Sequence, residues 1–276
     1  MSDFAVDRTG SHMLVFDYDP NHHLTPRVFD PVAVAVLEAA RFSRGEHLLD
    51  VACGPGTVAK MARELIGPFG HVTAAEIGEE MLAASKPGAA QRELPEEVDA
   101  DGNERFPHED DTFDLVICQQ GLQFAADRTR LIAEMRRVLK PTGRIAVAVW
   151  ASLEQCPYFE ALHRAFAESG LENLAETVAA PFSFPFATAL AQELKNAGFV
   201  DVHVETVSRP LIFEEGLDHA IDAIAGTPAG KSYEELPDEQ KTAFRAAATR
   251  YLKPMVWDKR VETVMVSNIG IGHNSA

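Results

Sequence analysis

The spacing of apolar positions changes several times along the chain, and each change marks an element. Val32, Val36, Leu37 and Ala40 recur at helical spacing behind Pro31, a residue suited to a helix's first turn, and Gly45 ends the pattern. His47–Val51 reads as a strand. After a glycine loop, Val58, Met61, Ala62, Leu65 and Ile66 form one apolar stripe, stopped by Gly67-Pro68. His71–Glu76 is a second strand and Glu79–Lys86 a short helix. Residues 87–111 are polar and acidic, with at most a short strand near Val98. Phe113–Cys118 is a buried strand. Leu131, Ile132, Met135, Val138 and Leu139 make the next helical stripe, closed by Lys140-Pro141-Thr142-Gly143, and Arg144–Trp150 is again a strand. Strand and helix alternate, which predicts a parallel sheet covered by helices on both faces.

Beyond Trp150 the rhythm changes. Leu153–Ser169 is helical, Ala180–Phe186 ("APFSFPF") is an aromatic, proline-punctuated loop, and Leu190–Ala197 is a helix capped by Gly198. Val200–Val207 alternates as a strand. Glu214–Leu252 is helical and broken at Gly226, Pro228, Gly230 and Pro237. Val261–Ile269 is a last strand, and Gly270–Ala276, which has no pattern, is expected to fray.

Charge narrows the partners. With 25 Lys and Arg against 42 Asp and Glu, the net charge is −17, so general attraction to a phosphate backbone is absent and no nucleic-acid partner is expected. The basic stretch Arg128–Lys140 falls on one helix flank and reads as a solvated face. Cys53, Cys118 and Cys156 are odd in number and far apart, with no metal-ligand spacing, which points to a reduced, cytoplasmic protein. The N-terminus lacks a signal pattern, and no apolar run is long enough for a membrane span. Gly10-Ser11-His12-Met13 resembles a vector junction, so residues 1–13 are set aside as a tag.

The glycine loop in "LLDVACGPGTVAK" (Leu48–Lys60) is the centre of the chemistry. A phosphate loop would end in Gly-Lys-Ser/Thr, but Gly56 is followed by Thr57-Val58. A dinucleotide loop needs three glycines, and Gly54-Pro55-Gly56 supplies only part of that fingerprint. Asp50, at the strand's end, suits a ligand carrying sulfonium and ammonium charge better than a pyrophosphate. Glu76 ends the next strand, where one carboxylate can accept from two ribose hydroxyls. Other patterns carry less. "DADGNE" (Asp99–Glu104) lacks the glycine and glutamate of a calcium loop. His22-His23 has no accompanying ligand spacing, so no metal is expected there. Cys53 is read as packing rather than nucleophile, and no Gly-x-Ser-x-Gly elbow occurs.

Four stretches in order resemble the successive motifs of class I S-adenosylmethionine-dependent methyltransferases: "LLDVACGPG", "VTAAEIGEEML", "DTFDLVICQQGLQF" and "EMRRVLKPTGRIAVAVW". The nearest flavour is the small-molecule group that includes the ubiquinone and menaquinone biosynthesis enzymes. The likeness is strong over residues 14–150 and weak over 151–269. It implies a Rossmann-like α/β fold. The expected sheet has seven strands, mostly parallel with the last antiparallel, helices on both faces and a helical cap between strands six and seven. Residues 14–45 would cover the site, 46–210 with 255–269 would form the core, 211–254 the cap and 270–276 a tail. The implied cofactor is S-adenosylmethionine, with S-adenosylhomocysteine as product. By position, Asp50, Ala52, Gly54 and Gly56 would wrap its methionine part, Glu76 its ribose and Ile77 its adenine, while Gln119 and Gln120 would line its boundary with the substrate. Two departures stand out. Ala52 replaces the first loop glycine, and Gly102 falls where an aspartate often binds the adenine amine, leaving Asp101, Asn103 or backbone to serve.

The expected reaction is an in-line methyl displacement onto O, N or C of a small organic acceptor, so the protein mainly aligns the two. Gln123 and Phe124 could face that acceptor. If it must lose a proton, Tyr18, His22 and His23 are candidate bases, because the N-terminal segment often folds over the cofactor in this group. His163 reads as a core residue, and His219 falls in the cap. A homodimer is compatible with this picture. A non-catalytic S-adenosylmethionine-binding sensor or scaffold is the alternative, and a nicotinamide oxidoreductase is disfavoured by the missing glycine.

Overall fold

The computed structural model describes residues 22–76, 96–99, 105–125 and 127–275, and of Glu76 and residues 96–99 the backbone alone. The vector junction, Tyr18, the helix expected at Glu79–Lys86, and Ile77, Asp101 and Asn103 lie outside the described residues.

Seven strands form one sheet: β1 (His47–Val51), β2 (His71–Glu76), β3 (Glu96–Asp99), β4 (Phe113–Gln119), β5 (Leu139–Trp150), β6 (Val200–Phe213) and, after a two-residue β7 (Val256–Trp257), β8 (Arg260–His273). Their order is β3-β2-β1-β4-β5-β8-β6, with β7 paired only to β8. β3, β2, β1, β4 and β5 run parallel, while β8 is antiparallel to both β5 and β6. The expected Rossmann-like sheet with an antiparallel last strand is therefore present, with β7 as an addition. The central strands carry apolar residues on both faces because both are covered. Leu48, Leu115, Ile117 and Ala146 belong to the core shared with α1 (Leu24–Ala39) and α2 (Thr57–Ile66). Leu49, Val51, Val116 and Val147 belong to the core under α3 (Arg128–Arg137) and, later in the chain, α6 (Ala187–Asn196).

Several boundaries move. α1 begins at Leu24 and runs through Pro31 instead of starting there. The proline's missing N–H leaves the Arg27 carbonyl without its helical donor, but burial of Leu24, Thr25 and Val28 holds the first turns in place. α3 stops at Arg137, and Lys140–Gly143 is a bulge inside β5 rather than a loop before it: between paired positions β5 advances from Leu139 to Arg144 while β4 advances from Phe113 to Leu115. The tail expected to fray is ordered. β8 continues to His273, and Asn274 donates its side-chain amide to Leu139 O and Lys140 O, both at 3.1 Å. Glycine is required here, since a Cβ on Gly272 would lie 2.9 Å from the Cβ of Phe199.

The basic stretch is not simply a solvated face either. Arg128 sits over the Phe184 ring at 4.6 Å, and Arg136 binds the Asn274 side chain at 3.0 Å. Arg137 pairs with Glu134 and Asp110, both at 2.6 Å, and donates to the carbonyls of Phe106 and His108.

After β5 come α4 (Pro157–Glu168) and α5 (Glu172–Ala179). The segment between β6 and β7 folds as α7 (Leu217–Asp222), α8 (Gly230–Glu234) and α9 (Asp238–Leu252). It packs on α4: Phe166 and Phe244 stack with centroids 4.1 Å apart, and the buried Tyr158 hydroxyl donates to Ala220 O at 2.8 Å. β6 runs parallel to β5, so this helical segment leaves and re-enters the sheet at the edge where β1, β2, β4 and β5 end. No single described helix is long and apolar enough to cross a membrane.

Candidate active site

The sheet brings the two expected acids to one edge. Val51 pairs with Ala75, so the loop that begins at Ala52 leaves the sheet beside Glu76, the last residue of β2, and Cys53 N–H donates to Ala75 O at 3.3 Å. The loop then turns through three left-handed residues: Ala52 (φ 54°), Gly54 (φ 52°) and Gly56 (φ 74°). Gly56 is the N-cap of α2 and has no side chain to cap with. Asp50 does that work from the strand behind it. Its Oδ2 accepts from Ala59 N–H at 3.0 Å, and the residue is only 1% exposed. The carboxylate expected beside a cationic ligand is thus buried and caps the first turn of α2.

Ala52 holds an unfavourable backbone region for a residue with a Cβ, and its methyl must go somewhere. It goes over Gly121. A Cβ built there would lie 2.6 Å from the Ala52 Cβ and 3.0 Å from Cys118 Sγ. So the glycine missing from the loop is matched by one two residues beyond β4.

The glutamines after β4 divide their work. Gln119 donates from Nε2 to the Phe29 carbonyl of α1 at 3.1 Å. Gln120, itself at φ 56°, is 5% exposed and donates to Ser267 Oγ at 3.0 Å. Gln123, 4% exposed, donates to Gln120 O at 2.9 Å, and Phe124 is half-buried. The side chains of Gln120 and Gln123 are buried, with Gln123 Oε1 left without a partner among the described residues, and that of Gln119 faces α1.

The first turn of α1 is fastened to the helical insertion. Arg27 donates to Ile212 O at 3.0 Å and to both carboxylate oxygens of Glu215, at 2.9 and 3.2 Å, holding the Glu215 carboxyl down to about 2. His22, half-buried, lies against Gly226. The exposed His23 ring sits 4.0 Å from that of His22 and 4.4 Å from that of His219 on α7. Partial desolvation against its neighbours and the His22, His219 and Arg27 charges hold His23 below its ordinary pKa. Asp30 is half-buried on the same helix, and desolvation raises its carboxyl pKa against the nearby Lys60 charge.

The profile of a family described as "Methyltransferase domain" matches residues 49–147, the stretch from β1 to β5. A demethylmenaquinone methyltransferase from Halalkalibacterium halodurans is 32% identical over 177 residues, covering 59% of this chain and 71% of that protein. One from Staphylococcus aureus is 31% identical over 175 residues, with the same coverage. The chain belongs to the class I S-adenosylmethionine-dependent methyltransferases. Among solved structures, Haemonchus contortus phosphoethanolamine N-methyltransferase 2, bound to phosphomonomethylethanolamine and S-adenosylhomocysteine, matches with a TM-score of 0.56 at 16% identity. That match covers 89% of this chain and 53% of that one. The [4+2]-cyclase SpnF matches at 0.52 and 17%, covering 90% and 82%. These two share the fold, and the second shows that the fold also carries other chemistry.

This methyltransferase uses S-adenosylmethionine to methylate a small molecule. Of the residues expected at its site, Asp50, Ala52, Gly54, Gly56, Glu76 and Gln119 converge on one edge of the sheet. His22 and His23 stand at the start of α1 against the insertion, and His163 is half-buried on α4 as expected. Of the aromatic loop, Phe182 packs toward Trp150 and Phe159 at 6.1 and 5.6 Å, Phe184 carries Arg128, and Phe186 stays 66% exposed. The first two are buried. Sequence reasoning missed Gly121 and the Arg27–Glu215 clamp. Gly121 had a local signal, a glycine two residues beyond a strand's C-terminal end. The clamp joins residues 188 apart and had none.

Proposed function

We propose that the loop Ala52–Gly56 and Glu76 hold the cofactor, and that α1 and the insertion between β6 and β7 close over it to enclose a small organic acceptor. The carrying observation is the register of β1 and β2, which sets a left-handed glycine loop beside an acidic strand end. The residues fit the group. The loop lets backbone approach the ligand, Glu76 can accept from both ribose hydroxyls, and Asp50 places a buried negative charge under the loop. Bound S-adenosylmethionine supplies a methyl group already activated on a sulfonium, so the work left to the protein is alignment and exclusion of water. α1 contributes to both, since Gln119 ties it to the end of β4 and Arg27 ties it to the insertion. Demethylmenaquinone, named in the relatives, is the first acceptor to assay.

Calorimetric titration with S-adenosylhomocysteine and, separately, NAD on wild type and Glu76→Ala tests the reading. S-adenosylhomocysteine should bind, and at least about tenfold more weakly in the variant, a loss near 1.4 kcal/mol. Binding of NAD alone, or an unchanged affinity in Glu76→Ala, would refute this assignment of the site.

A further inference from the structure

Gln119 carries an amide with one end spoken for. Its partner, the Phe29 carbonyl, can only accept, so the atom 3.1 Å away must be the side-chain nitrogen. The amide cannot be flipped without setting two oxygens against each other. Oε1 is therefore held in one direction, and it is buried with no hydrogen-bond partner among the described residues. Buried polar atoms are nearly always paired, so an orphan with a fixed orientation marks a place where something else donates.

The surroundings say what kind of donor. Gln119 is the last residue of β4, two positions before the Gly121 that carries the Ala52 methyl, so it adjoins the proposed cofactor loop. It lies under α1, whose Phe29 ring packs toward Trp150 at the end of β5 with centroids 6.1 Å apart. The amide is neutral, and the helix it is tied to presents the Phe29 ring toward Trp150. That environment favours a neutral donor on an apolar body. We infer that Gln119 Oε1 is a specificity-determining contact for the methyl acceptor: it takes the hydrogen of an O–H or N–H and disfavours acceptors that present only carbonyl, ether or carboxylate oxygens. Gln119 then acts twice, with its nitrogen fixing α1 over the site and its oxygen orienting the acceptor. This rests on the proposed site, because the acceptor must lie beside the cofactor loop.

The test uses matched probes on protein saturated with S-adenosylhomocysteine: 1-naphthol against 1-methoxynaphthalene, and 1-naphthylamine against 1-(dimethylamino)naphthalene. The donor-bearing member of at least one pair should bind about tenfold or more tightly to wild type, because a site with an unpaired polar group discriminates strongly against a partner lacking its complement. The preference should fall to threefold or less in Gln119→Leu. It should survive in Gln119→Glu, which keeps an oxygen but loses the bond to Phe29. A role confined to holding α1 would abolish it in both variants. Equal binding within both pairs, binding of none of the four, or an unchanged preference in Gln119→Leu overturns the inference. S-adenosylhomocysteine affinity is read in the same titrations. A tenfold loss in Gln119→Leu would assign the oxygen to the cofactor instead and also overturn it. Failure of wild type to bind S-adenosylhomocysteine at all would strike the proposed site itself, a separate result.

Discussion

The contact between Ala52 and Gly121 can be dissected by a double-mutant cycle. Alanine at φ 54° costs about 1–2 kcal/mol relative to a right-handed conformation. Ala52→Gly removes that cost, but loses up to about 0.8 kcal/mol of methyl burial and adds about 0.4–1 kcal/mol of unfolded-chain freedom. These nearly cancel, so the single variant should lie within about 0.5 kcal/mol of wild type. Gly121 sits at φ −101°, which alanine adopts freely, so its replacement is a test of space alone. The new Cβ would lie 2.6 Å from the Ala52 Cβ and 3.0 Å from Cys118 Sγ, contacts that must be relieved by displacement. Overpacking of this kind costs about 1–3 kcal/mol. In Ala52→Gly/Gly121→Ala the shorter contact is gone and only the cysteine must give way. The double variant should therefore recover about 1 kcal/mol relative to the sum of the singles. Urea unfolding of the four proteins, with calorimetric S-adenosylhomocysteine binding on each, measures it. A coupling below about 0.3 kcal/mol would show that the Ala52 methyl is not what demands glycine at 121.

Two further perturbations address charge. Asp50→Ala should destabilise the fold by about 1–3 kcal/mol by stripping the α2 cap from Ala59 N–H, whereas Asp50→Asn keeps an acceptor oxygen and most of that stability. Asn should nevertheless weaken S-adenosylmethionine more than S-adenosylhomocysteine, because only the former carries the sulfonium charge; equal losses in competition titrations would confine Asp50 to capping. His23 has a folded pKa below its ordinary 6.5, so the protonated ring is disfavoured in the fold. Its contribution is full above 6.5 and is lost as pH falls through the folded value. Hydrogen-exchange protection of the first turn of α1 should drop as pH falls below about 6.5, and drop less in His23→Gln; superimposable pH profiles would remove His23 as the cause.

What the sequence showed and hid follows the range of the forces involved. β1, β4 and the α2 stripe were legible because each is written in ten or fewer consecutive residues, and because the short apolar runs of the strands and the helical stripe between them differ in length and period. The end of β8 was not. Ile269-Gly270-Ile271-Gly272 alternates large and small, and glycine usually signals a turn, but here it makes room for Phe199, a residue of another element. The bulge at Lys140–Gly143 was hidden for the same reason. Proline and glycine mark irregularity, but whether that irregularity ends an element or stays within it depends on the partner strand and on Asn274 closing over it. α1 began early because distant burial outweighed a local proline rule.

The site divides along the same line. The adjacency of the loop and Glu76 was legible locally, since a strand, a turn and a strand end are each short stretches of chain. The fastening of α1 was not, since Gln119 reaches back 90 residues to Phe29 and Arg27 reaches forward 188 to Glu215. This matters for function, because the matched family stretch ends at residue 147 and Glu215 and the rest of the insertion lie beyond it. The half of the proposed site that would recognise the cofactor is built from local, shared pattern. Much of the half that would enclose the acceptor depends on long-range contacts outside that stretch. On the proposed site, substrate choice would change by altering α1, the insertion or the Gln119 oxygen between them, while the loop assigned to the methyl donor stays as it is. A search for the acceptor is better guided by what those three present than by the motifs that named the family.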